Sequence, residues 1–91
     1  MVAGVEPDAT VILYGSYARG EEREDSDIDL LILVDKNVDY EREKNIRYPL
    51  FDLAYETGFI ISPVVHSKET WEKKYKITPF YENIQHDGIL L

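Results

Sequence analysis

The sequence has no cysteine, few basic residues and no long apolar run, and each absence removes a class of protein. Without cysteine the chain can form neither a disulfide framework nor a thiolate metal site, which fits the cytosol. No apolar segment approaches the ~20 residues that span a bilayer, and the start MVAGVEPDAT lacks the basic residues and apolar centre of a secretory signal. We therefore expect a cytoplasmic protein that does not associate with membranes.

The shortage of basic residues makes the chain strongly acidic, with 10 Lys and Arg against 18 Asp and Glu and a net charge of -8. Ten of the acids lie between Glu21 and Glu43, which includes only three basic residues. Such a field repels nucleic-acid backbones and favours cations or a basic partner surface, so we expect no direct nucleic-acid binding. On composition alone, a solvated acidic loop is the simpler interpretation of this segment.

Three apolar segments predict strands, over Thr10–Tyr14, Asp27–Val34 and Phe59–Ser67. Pro63 places the third strand at a sheet edge or a bulge. The final ILL is compatible with a further strand or a packed tail. A chain of 91 residues with 44% hydrophobic content suits one small domain, covering residues 1–91.

Helical spacing of apolar residues follows Asp39, a suitable N-cap, and ends near Gly58. Pro49 interrupts this segment, because proline lacks a backbone donor and clashes with the preceding turn, so we expect a kink or two shorter helices. A short helix capped by Ser67 and another capped by Thr78 follow. Together these elements predict an α/β fold with a mixed β-sheet flanked by helices.

Two carboxylates, Asp27 and Asp29, begin the second strand. Residues two apart on a strand share a face, with Cα atoms about 6.6 Å apart at a rise of ~3.3 Å per residue. Ile28 and Leu30 then face the core. Two such charges repel by about 3 kcal/mol at an effective dielectric constant of ~20, which a divalent cation would offset. Carboxylate oxygens with open positions suit Mg²⁺, which usually binds one or two carboxylates together with phosphate oxygens of a substrate.

A glycine-serine turn follows the first strand, and we expect Ser16 to cap a helical turn that ends at Gly20. Gly15 and Ser16 offer backbone N–H groups and a hydroxyl to an anion such as phosphate. Arg19 either adds a charged contact to that anion or forms an exposed ion pair with a neighbouring glutamate. The turn would bind phosphate. The carboxylate pair would bind a metal ion that also contacts the phosphate.

The segment GSYARGEEREDSDIDLLILVD resembles the signature of the minimal nucleotidyltransferases of the DNA polymerase beta superfamily. In that signature Gly-Ser is followed after about ten residues by Asp-x-Asp. Here ten residues separate Gly15-Ser16 from Asp27-Ile28-Asp29. The segments FIISPVVHSKETW and TPFYENIQHDGI resemble, more loosely, the later strand and terminal helix of small stand-alone members.

The resemblance implies a small nucleotidyltransferase core that transfers AMP from ATP to an acceptor hydroxyl. Carried over residue by residue, Gly15 and Ser16 would hold the terminal phosphates, and Asp27 and Asp29 would bind one or two Mg²⁺ ions. Members of this type are often antitoxins encoded beside a toxin of the HEPN fold, and the acceptor is then a tyrosine of that toxin. The resemblance therefore implies a HEPN-type toxin as partner, in a hetero-oligomer.

The family pattern usually includes a third carboxylate on a later strand, which FIISPVV does not supply. Ser62 stands about where it is expected, while His66 and Glu69 are possible substitutes. This difference leaves a second function open, that of a non-catalytic antitoxin or regulatory subunit that acts by binding its partner. A third function, transfer to a small molecule, is less favoured because the chain has no room for a second domain that would form the acceptor pocket.

Overall fold

The computed structural model describes residues 6–91. Residues 1–5, which begin the segment considered above for a secretory signal, lie outside this range. In chain order the elements are β1 (Thr10–Tyr14), α1 (Ser16–Arg19), β2 (Ile28–Val34), α2 (Tyr40–Thr57), β3 (Ile61–Ser67), α3 (Lys68–Thr70) with a π-helical turn (Trp71–Tyr75), α4 (Pro79–Asp87) and β4 (Ile89–Leu90).

The four strands form one sheet in the order β3-β2-β1-β4. β1 runs antiparallel to β2 and β4, whereas β2 and β3 are parallel. The sheet is therefore mixed and flanked by helices, which confirms the predicted fold class. β3 lies at an edge, as Pro63 indicates, because an edge strand tolerates a residue without an N–H group.

The apolar run Leu30–Val34 in β2 is buried on both faces of the sheet. Its even-numbered side chains pack with α2, and its odd-numbered side chains pack with Trp71 and Ile84. Because side chains alternate along a strand, a continuous apolar run is what a strand between two layers requires. β2 is therefore the most buried strand of the sheet, and its first residues lead out of the core to the carboxylate pair.

The helix α2 continues through Pro49 as a single element, so the expectation of two shorter helices is wrong. Ile46 and Leu50 are both almost fully buried against β2, and they anchor the helix on either side of the proline. Asn45, whose carbonyl loses its N–H partner at Pro49, is exposed, so water can solvate that carbonyl. Packing of the apolar face therefore outweighs the local cost of the proline.

Three of the predicted helix caps are confirmed. The side chains of Asp39, Ser67 and Thr78 each accept a hydrogen bond from the backbone N–H three residues later, at 2.8, 3.0 and 3.1 Å. The prediction that Ser16 caps α1 is wrong, since Gly15 occupies the cap position and no side chain bonds there. Ser16 is instead the first residue of the helical turn, so α1 begins one residue earlier than the sequence indicated.

An aromatic layer covers the face of the sheet opposite α2. Trp71 is 2% exposed and lies with its ring centroid 5.0 Å from that of Tyr81 and 5.4 Å from that of Phe80. Trp71 begins a π-helical turn, a wider geometry than the single short α-helix that the sequence predicts. None of the helices in residues 6–91 is long and apolar enough to cross a bilayer.

Candidate functional site

The carboxylate pair lies where β2 emerges from the core. Asp27 immediately precedes the strand and is exposed, whereas Asp29 is its second residue and is half-buried. Both belong to the odd-numbered face of β2, beyond the point where the aromatic layer covers it. The structure therefore places the two carboxylates on one face at the open end of a rigid strand.

The turn after β1 packs directly against Asp29. Tyr14, the last residue of β1, pairs with Asp29 in the antiparallel register, so Gly15 follows next to that carboxylate. Gly15 has φ 76° and ψ -154°, a conformation essentially confined to glycine. A Cβ atom at Gly15 would lie 2.3 Å from Oδ2 of Asp29. Glycine is therefore required here both by the backbone and by the close approach to the carboxylate.

The electrostatics of the site disfavour negative charge in the absence of a cation. Burial, and next the neighbouring Asp27 carboxylate, raise the pKa of Asp29, while Arg19 partly offsets this effect. Burial and then the Asp29 carboxylate also raise the pKa of the Tyr14 hydroxyl. Both pKa values are raised because burial and a neighbouring negative charge disfavour the ionised form. A bound cation would compensate it.

Arg19 lies close enough to Asp29 to influence that carboxylate, yet its observed ion pair is with Glu21. Nε of Arg19 is 3.4 Å from Oε1 of Glu21, and both side chains are largely exposed. Exposed pairs of this kind typically contribute only ~0 to 1 kcal/mol, so Arg19 can exchange this partner at little cost. A contact between Arg19 and a phosphate stays a prediction.

Ser62 faces the carboxylate pair from the neighbouring strand. In the parallel register it lies opposite Asp29, and its hydroxyl donates a hydrogen bond to Oδ2 of Asp27 at 3.1 Å. The position where the family resemblance leads us to expect a third carboxylate thus holds a neutral hydroxyl. The sequence did not reveal the contact to Asp27, because the register between strands so far apart in the chain has no local signal.

His66 and Glu69 are not brought to the site. His66 pairs with Leu33 near the other end of β3, four residues or about 13 Å from Ser62 at ~3.3 Å per residue. Its ring lies against Tyr75 at 4.4 Å, and burial lowers its pKa despite the nearby Glu43. Glu69 forms an exposed pair with Lys73, at 2.8 Å. Both are wrong as substitutes for a third carboxylate.

The donor set at the site fits Mg²⁺ better than a metal that needs a complete protein cage. Within residues 6–91 no group of three or more His, Cys, Asp or Glu side chains is arranged to hold a metal ion. The two carboxylates at the start of β2 suit a cation that completes its coordination with water and substrate phosphate. Asp27 and Asp29 are therefore the residues that would hold magnesium.

Two concavities lie away from the carboxylate pair. One, of about 430 Å³, is at the carboxyl end of β3 and is lined by His66, Ser67 and Glu43 among others. The other, of about 250 Å³, is on the exposed side of α2. Neither includes Asp27, Asp29 or the glycine turn, so cavity size and site chemistry point to different places. The open surface at the carboxylate pair suits charged phosphates that remain partly hydrated, so this pair remains the candidate site.

The chain is similar to known proteins both in sequence and in fold. A family model described as a nucleotidyltransferase domain matches residues 4–89. Two proteins of Methanocaldococcus jannaschii named "putative protein adenylyltransferase" are each 37% identical to the chain, over 81 and 79 residues. These matches cover 89% and 87% of this chain and 75% and 74% of the two relatives.

A solved structure described as a toxin-antitoxin with AMP-PNP contains a chain with a similar fold. The TM-score is 0.61 at 18% sequence identity, and the match covers 89% of this chain. The chain spans 57% of the length of that solved chain. At this identity the likeness shows the fold alone.

Proposed function

Because the chain belongs to the nucleotidyltransferase domain family, with the match covering residues 4–89, we propose that it transfers AMP from ATP to a hydroxyl group of a partner protein. The observation that carries the proposal is the junction of the Gly15 turn with Asp29, beside Asp27. The names of the M. jannaschii relatives support a protein acceptor. We propose a cytoplasmic antitoxin whose acceptor is a tyrosine of a HEPN-type toxin, in line with the assembly that the solved neighbour's description names.

In the proposed reaction the acceptor oxygen forms a bond to the α-phosphorus of ATP, and the bond from that phosphorus to the bridging oxygen breaks. Pyrophosphate leaves, and the acceptor proton passes to solvent. One or two Mg²⁺ ions, when bound, supply Lewis-acid polarisation of the phosphate and neutralise charge on the leaving group. Asp27 and Asp29 would hold that cation; Asp29 lies in β2, and Asp27 immediately precedes it.

The glycine turn contributes phosphate binding. The first amides of α1 have no acceptor within the helix, because a helix leaves its first N–H groups unpaired. We propose that Gly15 and Ser16 hold the terminal phosphates, with the Ser16 hydroxyl as a further donor. Arg19 would leave Glu21 and add a charge-assisted contact to the same phosphates.

A second function, binding of the partner without chemistry, is favoured by one observation. The position on β3 opposite Asp29 is Ser62, which cannot serve as a carboxylate base. General-base assistance typically contributes ~10²- to 10⁴-fold, so a site without it is slow or acts as a nucleotide-binding regulator. In that case the strongly acidic surface would dock on a basic surface of the partner.

The test compares two variants with the same change in net charge. The site variant carries Asp27→Asn and Asp29→Asn. The control carries Glu22→Gln and Glu24→Gln, at exposed positions of the loop that precedes β2. Each is co-expressed with a HEPN-type toxin, and the intact mass of the toxin and cell survival are measured. We expect wild type and control to add one AMP to the toxin and the site variant to add none. Survival with the site variant and an unmodified toxin would support the binding function instead.

A further inference from the structure

Ser62 occupies a fixed position beside the carboxylate pair, on a strand other than the one that carries it. The parallel ladder is already formed at this level, since the Ile28 N–H donates to the Ile60 carbonyl at 2.7 Å. Ile61, the next residue, is buried and anchors β3 in the core. Pro63 follows Ser62 and restricts it to extended backbone angles. The direction of the Ser62 side chain is thus preset before any ligand binds.

The bond from the Ser62 hydroxyl to Oδ2 of Asp27, at 3.1 Å, is the one side-chain hydrogen bond that the described residues make to the carboxylate pair. Asp27 precedes β2 and is exposed, so its side chain has little packing to restrict it. A hydrogen bond to a charged acceptor favours one orientation of that acceptor. The Ser62 hydroxyl only donates in this bond, so its oxygen lone pairs are still free to accept a further hydrogen bond.

A neutral group at this place has a consequence for cation binding. Ser62 lies opposite Asp29 and bonds to Asp27, so an acid in its place would add a third negative charge beside two carboxylates that already repel each other. Three carboxylates bind a divalent cation more tightly than two carboxylates and a hydroxyl, since cation affinity increases with ligand charge. The hydroxyl orients Asp27 without that increase in charge.

Building on the proposed function, we propose that Ser62 is a positioning residue that orients Asp27 for the cation and limits cation affinity, so that the cation binds together with the nucleotide. Ser62 contacts neither nucleotide nor acceptor in this role and acts through Asp27. A site of this kind is weakly occupied by the free cation and strongly occupied by its nucleotide complex.

The experiment compares wild type with Ser62→Ala, Ser62→Thr and Ser62→Asp. Calorimetry measures the affinity for Mn²⁺ alone and for Mn²⁺ with a non-hydrolysable ATP analogue, and thermal unfolding is followed with EDTA and with Mn²⁺. Ser26→Ala is the matched control, because the Ser26 hydroxyl accepts a hydrogen bond from the Arg23 N–H and, within residues 6–91, makes no hydrogen bond to a carboxylate. Circular dichroism confirms that each variant is folded.

We expect Ser62→Ala to weaken binding of the Mn²⁺–nucleotide complex about fivefold, because it loses a hydrogen bond to a charged group at an exposed site. Ser62→Thr retains the hydroxyl and should stay within about twofold of wild type. Ser62→Asp should unfold at a lower temperature in EDTA, bind Mn²⁺ alone more tightly and gain a larger rise in unfolding temperature from Mn²⁺ than wild type.

Two outcomes separate this inference from the proposed function. If wild type binds the Mn²⁺–nucleotide complex and Ser62→Ala binds it equally well, Ser62 has no positioning role while the proposed function stands. The same conclusion follows if Ser62→Asp shows no added affinity for Mn²⁺. If wild type shows no Mn²⁺-dependent nucleotide binding, the proposed function itself fails, and the inference fails with it.

Discussion

Replacing Gly15 with alanine tests the junction between the phosphate turn and the carboxylate pair. The backbone at Gly15, with φ 76° and ψ -154°, costs a residue with a Cβ on the order of 1–3 kcal/mol. The new Cβ would also lie 2.3 Å from Oδ2 and 3.2 Å from Cγ of Asp29, so the carboxylate must move. A loss of about 2 kcal/mol lowers the unfolding temperature of a domain of this size by roughly 8–16 °C. Displacement of Asp29 should in addition abolish Mn²⁺-dependent nucleotide binding.

The control is Gly20→Ala, at the end of the same helical turn. Gly20 also has positive φ, at 70°, but nothing lies within 4 Å of the position where its Cβ would be. A left-handed residue costs about 1–2 kcal/mol, so this variant should lose less stability and keep nucleotide binding. Both variants place alanine at a positive φ, but only Gly15→Ala introduces a clash with the Asp29 carboxylate.

The steric contribution is isolated by repeating Gly15→Ala in an Asp29→Ala background. Without the carboxylate, the clashing oxygen is absent and only the backbone cost is left, so the penalty of Gly15→Ala should fall by about 1 kcal/mol. Urea unfolding of the four proteins measures this coupling energy. Additive penalties, or a Gly15→Ala variant as stable as Gly20→Ala, would refute the argument that the turn is built against Asp29.

Two further predictions concern elements away from the site. Because burial lowers the pKa of His66 below its reference value of 6.5, the unfolded chain binds a proton before the folded chain does. Stability should therefore decrease as pH falls from about 6.5 to the lowered pKa, and His66→Gln should flatten this dependence in urea unfolding at a series of pH values. Pro49→Ala should raise the free energy of unfolding by about 1–3 kcal/mol, since α2 is already continuous at that position and gains a donor. An unchanged or lower unfolding temperature would contradict the second prediction.

Local signals in the sequence were sufficient for the strands and for most helix ends. The caps at Asp39, Ser67 and Thr78 were predictable because a capping side chain and the amide it bonds are only three residues apart. The predicted start of α1 is one residue too late, since Gly-Ser alone does not show which of the two residues has the unusual backbone angles. The division of α2 at Pro49 does not occur, because the packing that offsets the local cost of the proline is not visible in the sequence.

The composition of the site was predictable from spacing, whereas its surroundings were not. The spacing predicts that Asp27 lies near Asp29, and the Gly15 turn meets Asp29 because consecutive antiparallel strands bring their connected ends together. The roles of Ser62 and His66 depend on the register of β3 against β2, which a long helix separates in the chain. The family resemblance placed Ser62 about where a third carboxylate is expected, but no local signal showed its hydrogen bond to Asp27. Nor did any local signal exclude His66, which lies about 13 Å from Ser62 at ~3.3 Å per residue.

The burial of Leu30–Val34 on both faces of the sheet has a consequence for the unfolded chain. This segment is short, apolar, rich in β-forming residues and free of proline, which is the composition that stacks into aggregates when it is exposed during synthesis or unfolding. Asp29 and Asp35 flank it directly, and such flanking charges oppose stacking. The carboxylate proposed to bind magnesium in the native state thus also protects the nascent chain, and its neutralisation should lower the soluble yield of the protein as well as its activity.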